Sequence, residues 1–138
     1  MKILFMCVAN SARSQLAEGI AKSLMPEAEI RSAGSEPTRV NPMAIEVLKE
    51  IGIDISKNTS KFYDDHPPGF LASMDYVITL CAEEVCPRVP SKARKLHWPF
   101  PDPATKEPIS REESLKRFRE ARDGIIKKLG EFKKEIGS

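Results

Sequence analysis

The feature that most restricts the fold is the opening run KILFMCV (residues 2–8), apolar at every position after one lysine. A strand buried on both faces reads this way, and central strands of parallel sheets are the usual case. The run passes into Ala9-Asn10-Ser11-Ala12-Arg13-Ser14, after which Leu16, Ala17, Ile20, Ala21 and Leu24 recur at helical spacing until Pro26. AEIRSA (28–33) reads as a second strand, and Gly34 begins a polar loop. Asn41-Pro42 has the form of an N-cap followed by a first-turn proline. The helix it opens carries Ala44, Val47, Leu48 and Ile51 on one face, with Gly52 closing it. A short helical turn around Phe70–Met74 leads to the apolar strand YVITLC (76–81). Six of the eleven prolines fall between Pro87 and Pro108, which predicts a surface-following loop broken by one strand near Arg94–Trp98. Ser110 and Glu113 form a capping box before a long helix with Leu115, Phe118, Ile125, Ile126, Leu129, Phe132 and Ile136 on its apolar face. Its other face mixes both charge signs and reads as solvated. Strands alternate with helices, so the expected fold is an α/β three-layer sandwich, a four-stranded parallel sheet with helices on both faces. At 138 residues there is room for one domain over 1–138.

Composition removes several functional classes. Hydrophobic residues are 41% and charged residues 30%, the balance of a globular chain. Twenty-two basic residues against 20 acidic leave a net charge of +2, too little for binding nucleic acid or an anionic membrane by bulk charge. No apolar run approaches the roughly 20 residues of a membrane span, and no leader pattern opens the chain, so the expected compartment is the cytoplasm. There, three cysteines are not a disulfide framework. Structural zinc usually takes four ligands at short spacings, and His66 and His97 stand in no ligand motif, so no metal is expected. Both histidines read as structural and Trp98 as core packing. Three inert buried thiols, or thiol chemistry, remain.

Cys7 and Cys81 close the first and third predicted strands, and ligands of such sheets bind beyond the carboxyl ends of strands. Cys7-(x)5-Arg13-Ser14 lies between a strand and a helix. A tight loop there turns backbone N–H groups inward and adds the positive end of the helix dipole, a cradle for a tetrahedral oxyanion over residues 8–14. Arg13 can clamp such an anion with two parallel hydrogen bonds. The same field favours a thiolate at Cys7. Small residues at Ala9, Ser11 and Ala12 keep the loop compact, Asn10 and Ser14 can brace it, and the Ser14 hydroxyl can donate to the thiolate. A buried strand-end thiol with an unrelated surface arginine is the simpler alternative.

The loop resembles that of the low-molecular-weight protein tyrosine phosphatases. Within that superfamily the chain is similar to the thioredoxin-coupled arsenate reductases, through CVANSARSQLAEG, SAGSEP, VNPMAIEVLKEIGIDIS, DYVITLC and HWPFPDPA. The resemblance implies that Cys7 attacks arsenate while Asp102 serves as general acid. It further implies that Cys81 attacks Cys7 to release arsenite, and that Cys86 carries the disulfide outward to Cys81–Cys86, where thioredoxin reduces it. Phosphate and sulfate are the expected competing anions, and no bound cofactor, nucleic acid or membrane is implied. An arsenic-resistance role and a monomer are the accompanying expectations. Glutaredoxin or another thiol carrier is an alternative reductant.

Three departures from the family pattern matter. Phosphatases of this fold usually place an aromatic residue after Asp-Pro, and here Ala104 stands there. The Cys81–Cys86 pair is two residues closer than the family usually has it. If 82–86 is helical, the two Cα atoms lie roughly 8–9 Å apart, beyond the limit of about 7 Å for a disulfide. The segment is therefore expected to unwind on oxidation. Some family members hold a potassium ion through positions matching Asn10, Glu18 and Ser32 plus an aspartate. Lys61 stands at the aspartate's position, so its ammonium could take the ion's place and potassium independence is expected; a solvated lysine on a loop is the equal alternative. The competing enzymatic reading is a phosphomonoesterase that uses Cys7 and Asp102 without the other thiols, and a third is an anion-binding or redox-sensing module.

Overall fold

In the computed structural model, which describes residues 1–82, 92–105 and 107–136, the apolar opening becomes β1 (Lys2–Cys7), buried at every residue after Lys2. It lies inside a four-stranded sheet of order β2-β1-β3-β4, with β2 at Glu29–Gly34, β3 at Tyr76–Thr79 and β4 at Arg94–His97. All three pairings are parallel. Side chains alternate across a strand, so Ile3 and Phe5 enter one core and Leu4 and Met6 the other. Both faces being covered is why the run shows no polar alternation.

On the first face pack α1 (Arg13–Leu24), α2 (Pro42–Lys49) and α4 (Arg111–Glu135), through Leu16, Ile20, Val47, Leu48, Phe118 and Leu129. Among the described residues, the other face carries the short α3 (Pro68–Ala72), whose Phe70 joins Met74 and Val77 over Leu4 and Met6. The predicted three-layer sandwich is thus found. Both predicted N-caps form, Asn41 Oδ1 accepting from the Met43 N–H at 2.9 Å and Ser110 Oγ from the Glu113 N–H at 3.0 Å, but the Glu113 carboxylate accepts from Arg117 and does not complete the capping box. Trp98 is core, packed against Phe5 and Phe132.

Three further expectations need correction. Gly34 is the last residue of β2 and pairs with Cys7; it does not begin a loop. Ile51 is not on the buried face of α2. The helix ends at Lys49, and Gly52, at φ 81°, lets the Ile53 N–H return to the Leu48 carbonyl, which leaves Ile51 41% exposed. The charged face of α4 is also not merely solvated. Arg122 is buried and donates to the Val47 carbonyl and to Glu50 at 2.8 and 2.7 Å, while Arg119 grips the same carboxylate at 2.6 Å. Two arginines thereby fasten α4 to the end of α2. Among the described residues, no helix is long and apolar enough to cross a membrane.

The clamp has a pH signature. The Arg119 hydrogen bond, reinforced by Arg122, holds the Glu50 carboxyl down to about 2 from the ordinary 4.5. A carboxyl lowered by folding stabilises the native state fully above its unfolded value, and that contribution is lost as pH falls through the folded one. Glu50→Gln should lower the melting temperature at pH 7 and flatten its decline between pH 4.5 and about 2. Melts followed across that range check this; an unchanged slope means the clamp contributes nothing.

Candidate active site

The strand order places β1 and β3 side by side while the chain leaves them in opposite directions, to β2 on one side and β4 on the other. Their carboxyl ends form the switch point where such sheets bind ligands. Cys7 ends β1 there. Cys81 follows Leu80, whose N–H donates to the Met6 carbonyl at 3.0 Å. Both thiols are buried, 3% and 1% exposed, and neither is in a disulfide. Cys86 and the expected unwinding of 82–86 fall on residues 83–91, outside the described residues.

Residues 8–12 are oriented by what their carbonyls do. The Val8, Ala9 and Ser11 oxygens accept from the N–H groups of Glu36, Thr38 and Asn41 at 2.8, 3.2 and 2.9 Å. Ser60 Oγ adds a second bond to the Ala9 oxygen at 2.8 Å. With the carbonyls turned toward the segment after β2, the N–H groups of Ala9, Asn10, Ser11 and Ala12 have no protein acceptor among the described residues. Helix α1 begins at Arg13 with no side-chain cap and no acidic residue in its first turn. Unused donors and an unopposed helix end together make a strong local field for an anion.

Asn10 sits in the left-handed region at φ 47°, a conformation asparagine tolerates. Its side-chain orientation is unambiguous, because Oδ1 accepts from the Lys61 backbone N–H at 2.9 Å. Nδ2 therefore donates to Ser14 Oγ at 2.8 Å. Ser14 Oγ lies 2.9 Å from Cys7 Sγ; a Cys7 thiolate can only accept, so in that state the Ser14 hydroxyl is the donor. The expected bracing by Asn10 and Ser14 is present.

Arg13 is buried, and its guanidinium joins three segments. Nη1 donates to the Phe100 carbonyl at 2.9 Å and to the Leu80 carbonyl, next to Cys81, at 3.4 Å. Nη2 lies 3.8 Å from Asp102 Oδ2. The Asp102 side chain is 41% exposed, against 4% for Arg13, and its Oδ1 accepts from the Ala104 N–H at 3.0 Å. A cleft of about 330 Å³ lies against it, lined by Phe100, Pro101, Pro103, Arg117 and Ala121 among others. Arg13, six residues after Cys7 in the same loop, thus brings the stretch after β3 that carries Cys81 and the loop that carries Asp102 together at that loop, three separate segments in all.

The positions linked with potassium are arranged differently from the expectation. Glu18 accepts from the Ser32 hydroxyl through Oε1, and through Oε2 from the Lys22 ammonium at 2.8 Å and Asn58 Nδ2 at 3.3 Å. The ammonium beside Glu18 is Lys22's, one helical turn on; Lys61 is exposed and contributes its backbone N–H to Asn10. With Asn10 Oδ1 and both Glu18 oxygens accepting from protein donors, these residues do not fit a potassium ion. His66 Nε2 meets the Ser32 carbonyl at 2.7 Å, and burial pushes the imidazole below its ordinary 6.5. A neutral ring that donates from Nε2 suits that place. Among the described residues no cluster of His, Cys, Asp or Glu could hold a metal.

Sequence reasoning missed three supporting residues. A methyl group at Gly34 would sit 2.8 Å from the Asn10 nitrogen, 3.0 Å from the Cys7 oxygen and closer still to the Val8 oxygen. Gln15 holds Asn10 from the other side, and Asn58 holds Gln15. Buried polar residues within the short α1 pattern were the available signal for Gln15; nothing local marks Gly34 or Asn58.

A strand that ends in a buried thiol, a loop whose N–H groups are left without protein acceptors among the described residues, and a buried arginine at the start of the following helix define the class. The family model for low molecular weight phosphotyrosine protein phosphatase matches residues 2–138, and the chain belongs to that family. Within it the chain is similar to proteins named arsenate reductase. One, from Halalkalibacterium halodurans, is 45% identical over 133 residues, 94% of this chain and 93% of that protein. A solved arsenate reductase in the phosphate-binding state is 33% identical with a TM-score of 0.77, covering 99% of this chain and all of that one. A thioredoxin-dependent arsenate reductase from Corynebacterium glutamicum is 30% identical with a TM-score of 0.66, covering 94% of this chain and 60% of that one. The resemblance drawn from the five sequence segments is borne out.

Proposed function

We propose that this chain reduces arsenate to arsenite with its own thiols, as one domain that binds no cofactor and is regenerated by thioredoxin. The observation that carries the proposal is the second buried thiol, Cys81, two residues beyond the end of β3, the strand that pairs with the one ending in Cys7. Phosphate ester hydrolysis needs one thiolate; reducing arsenic(V) to arsenic(III) needs two electrons, which two thiols supply by becoming a disulfide. The Cys7 thiolate attacks arsenate in the cradle of residues 8–14, Arg13 clamps the oxyanion, and Asp102 gives the proton with which one oxygen leaves as water. The Cys81 thiolate then attacks the Cys7 sulfur. The sulfur–sulfur bond forms, the sulfur–arsenic bonding pair passes to arsenic, and arsenite departs. Cys86 attacks Cys81, frees Cys7 as thiolate, and leaves Cys81–Cys86 for the dithiol of thioredoxin.

The test is arsenate-dependent NADPH oxidation with thioredoxin and thioredoxin reductase, run beside hydrolysis of an aryl phosphate. Sustained oxidation with arsenate is expected, with phosphate and sulfate as competitors. Hydrolysis without arsenate turnover would instead make the chain a phosphomonoesterase. Ala104, where the phosphatases carry an aromatic residue, speaks against that outcome. Turnover with glutaredoxin but not thioredoxin would change the reductant and leave the thiol chemistry intact.

A further inference from the structure

We propose that Gln15 and Asn58 are positioning residues for the nucleophile, an amide pair that keeps the Ser14 hydroxyl pointed at Cys7; this rests on Cys7 being the nucleophile. Gln15 is 1% exposed although it lies in the first turn of an amphipathic helix. Its Nε2 faces three oxygens: Asn10 Oδ1 at 3.1 Å, the Asn10 carbonyl at 3.3 Å and the Thr59 carbonyl at 3.2 Å. Its Oε1 accepts from Asn58 Nδ2 at 3.1 Å. A flipped Gln15 amide would set oxygen against oxygen at Asn10 and nitrogen against nitrogen at Asn58, so only one orientation is satisfied. Asn58 is locked likewise, because Nδ2 also donates to Glu18 Oε2, whose charge is balanced by Lys22.

The chain of donors therefore runs in one direction from a charge-balanced anchor to the reactive sulfur. Asn58 fixes Gln15, and Gln15 fixes both the left-handed backbone of Asn10 and the plane of its amide. Asn10 occupies the Ser14 lone pair, and Ser14 donates to Cys7. Buried networks of this kind act as a unit, since each bond polarises the next. Neither amide touches Cys7 or the residues expected to contact arsenate other than Asn10, so their effect reaches the reaction through orientation alone.

The experiment is the pH dependence of Cys7 alkylation by iodoacetamide in the full chain, with the modified cysteine located by peptide mass spectrometry. This readout needs no arsenate, so it stands or falls separately from the proposed reduction. Gln15→Met keeps the side-chain length and removes the donors. Alkylation near neutral pH should fall about tenfold, the effect of weakening one hydrogen bond to a charged group. The plateau rate at high pH, where the thiol is ionised in either protein, should not change. Asn58→Ala, at a half-buried and more tolerant site, should give about a threefold loss of the same form. Adding it to Gln15→Met should cost nothing further, because it acts through Gln15. A neutral-pH rate within twofold of the parent in folded Gln15→Met would overturn the inference. So would a loss equal at all pH values, which would mean reduced access to Cys7. If Gln15→Met does not fold, an Asn58→Ala protein with the parental profile does the same.

Discussion

Cys81→Ser should abolish multiple turnover of arsenate, the rate falling at least about a thousandfold. The size of the effect follows from electron counting. A serine hydroxyl can occupy the place of the Cys81 thiol, but it cannot form the bond to the Cys7 sulfur that sends two electrons to arsenic. Cys86→Ser stops later: arsenite should appear once, in one equivalent per protein, and the chain should then rest as a Cys7–Cys81 disulfide. Arsenite quantified after rapid mixing, together with peptide mapping of the disulfide, separates the two. Aryl phosphate hydrolysis, which asks for Cys7 and an acid but no second thiol, serves as the control. If Cys81→Ser keeps turning over arsenate, the electron route proposed for this chain is wrong. If reduced and oxidised forms share one backbone over residues 81–86, the outward transfer to Cys86 is wrong while the first disulfide stands.

Gly34→Ala should be nearly as damaging to activity while leaving the protein folded. The alanine methyl would enter space held by backbone atoms of Cys7, Val8 and Asn10, and backbone cannot rotate away as a flexible side chain can. Either β2 shifts, breaking its pairing with β1, or the loop that begins at Cys7 moves by up to about 1 Å to restore ordinary contact with the Val8 oxygen. Overpacking costs about 1–3 kcal/mol of stability, which a melt would register. Displacing a reacting group by about 1 Å costs on the order of a hundredfold in rate, so kcat/KM should fall by roughly that factor, with weaker phosphate inhibition. Parental kinetics in Gly34→Ala would show that the loop tolerates the displacement and that its geometry is not set from β2.

The contrast between Gly34 and Cys7 shows which parts of the molecule are legible in the sequence. Strand β1, the loop and α1 form one continuous segment in which spacing and polarity report local geometry. Cys7, Asn10, Arg13 and Ser14 are recognisable there because the chemistry of the loop is local. Asp102 and Cys81 carry no local signature strong enough alone, and the family resemblance singled them out. Gly34, Gln15, Asn58 and the Glu50 clamp are contacts between elements far apart in the chain. An isolated glycine, an amide within a helix and a surface-looking arginine mean nothing until the fold brings their partners to them. Lys61 illustrates the reverse error: a side chain assigned by aligned position was replaced by Lys22, which helical geometry places one turn from Glu18.

The central place of β1 also has a practical bearing on handling. Met1 is about half exposed and lies just before the amino end of a strand whose carboxyl end holds Cys7. Six extended residues span about 20 Å. A purification tag or surface linker attached at residue 1 leaves from the far rim of the sheet, although only six positions separate it from the reactive sulfur. Immobilised through that end, the protein presents its whole chemical face to solution and to an incoming redox partner.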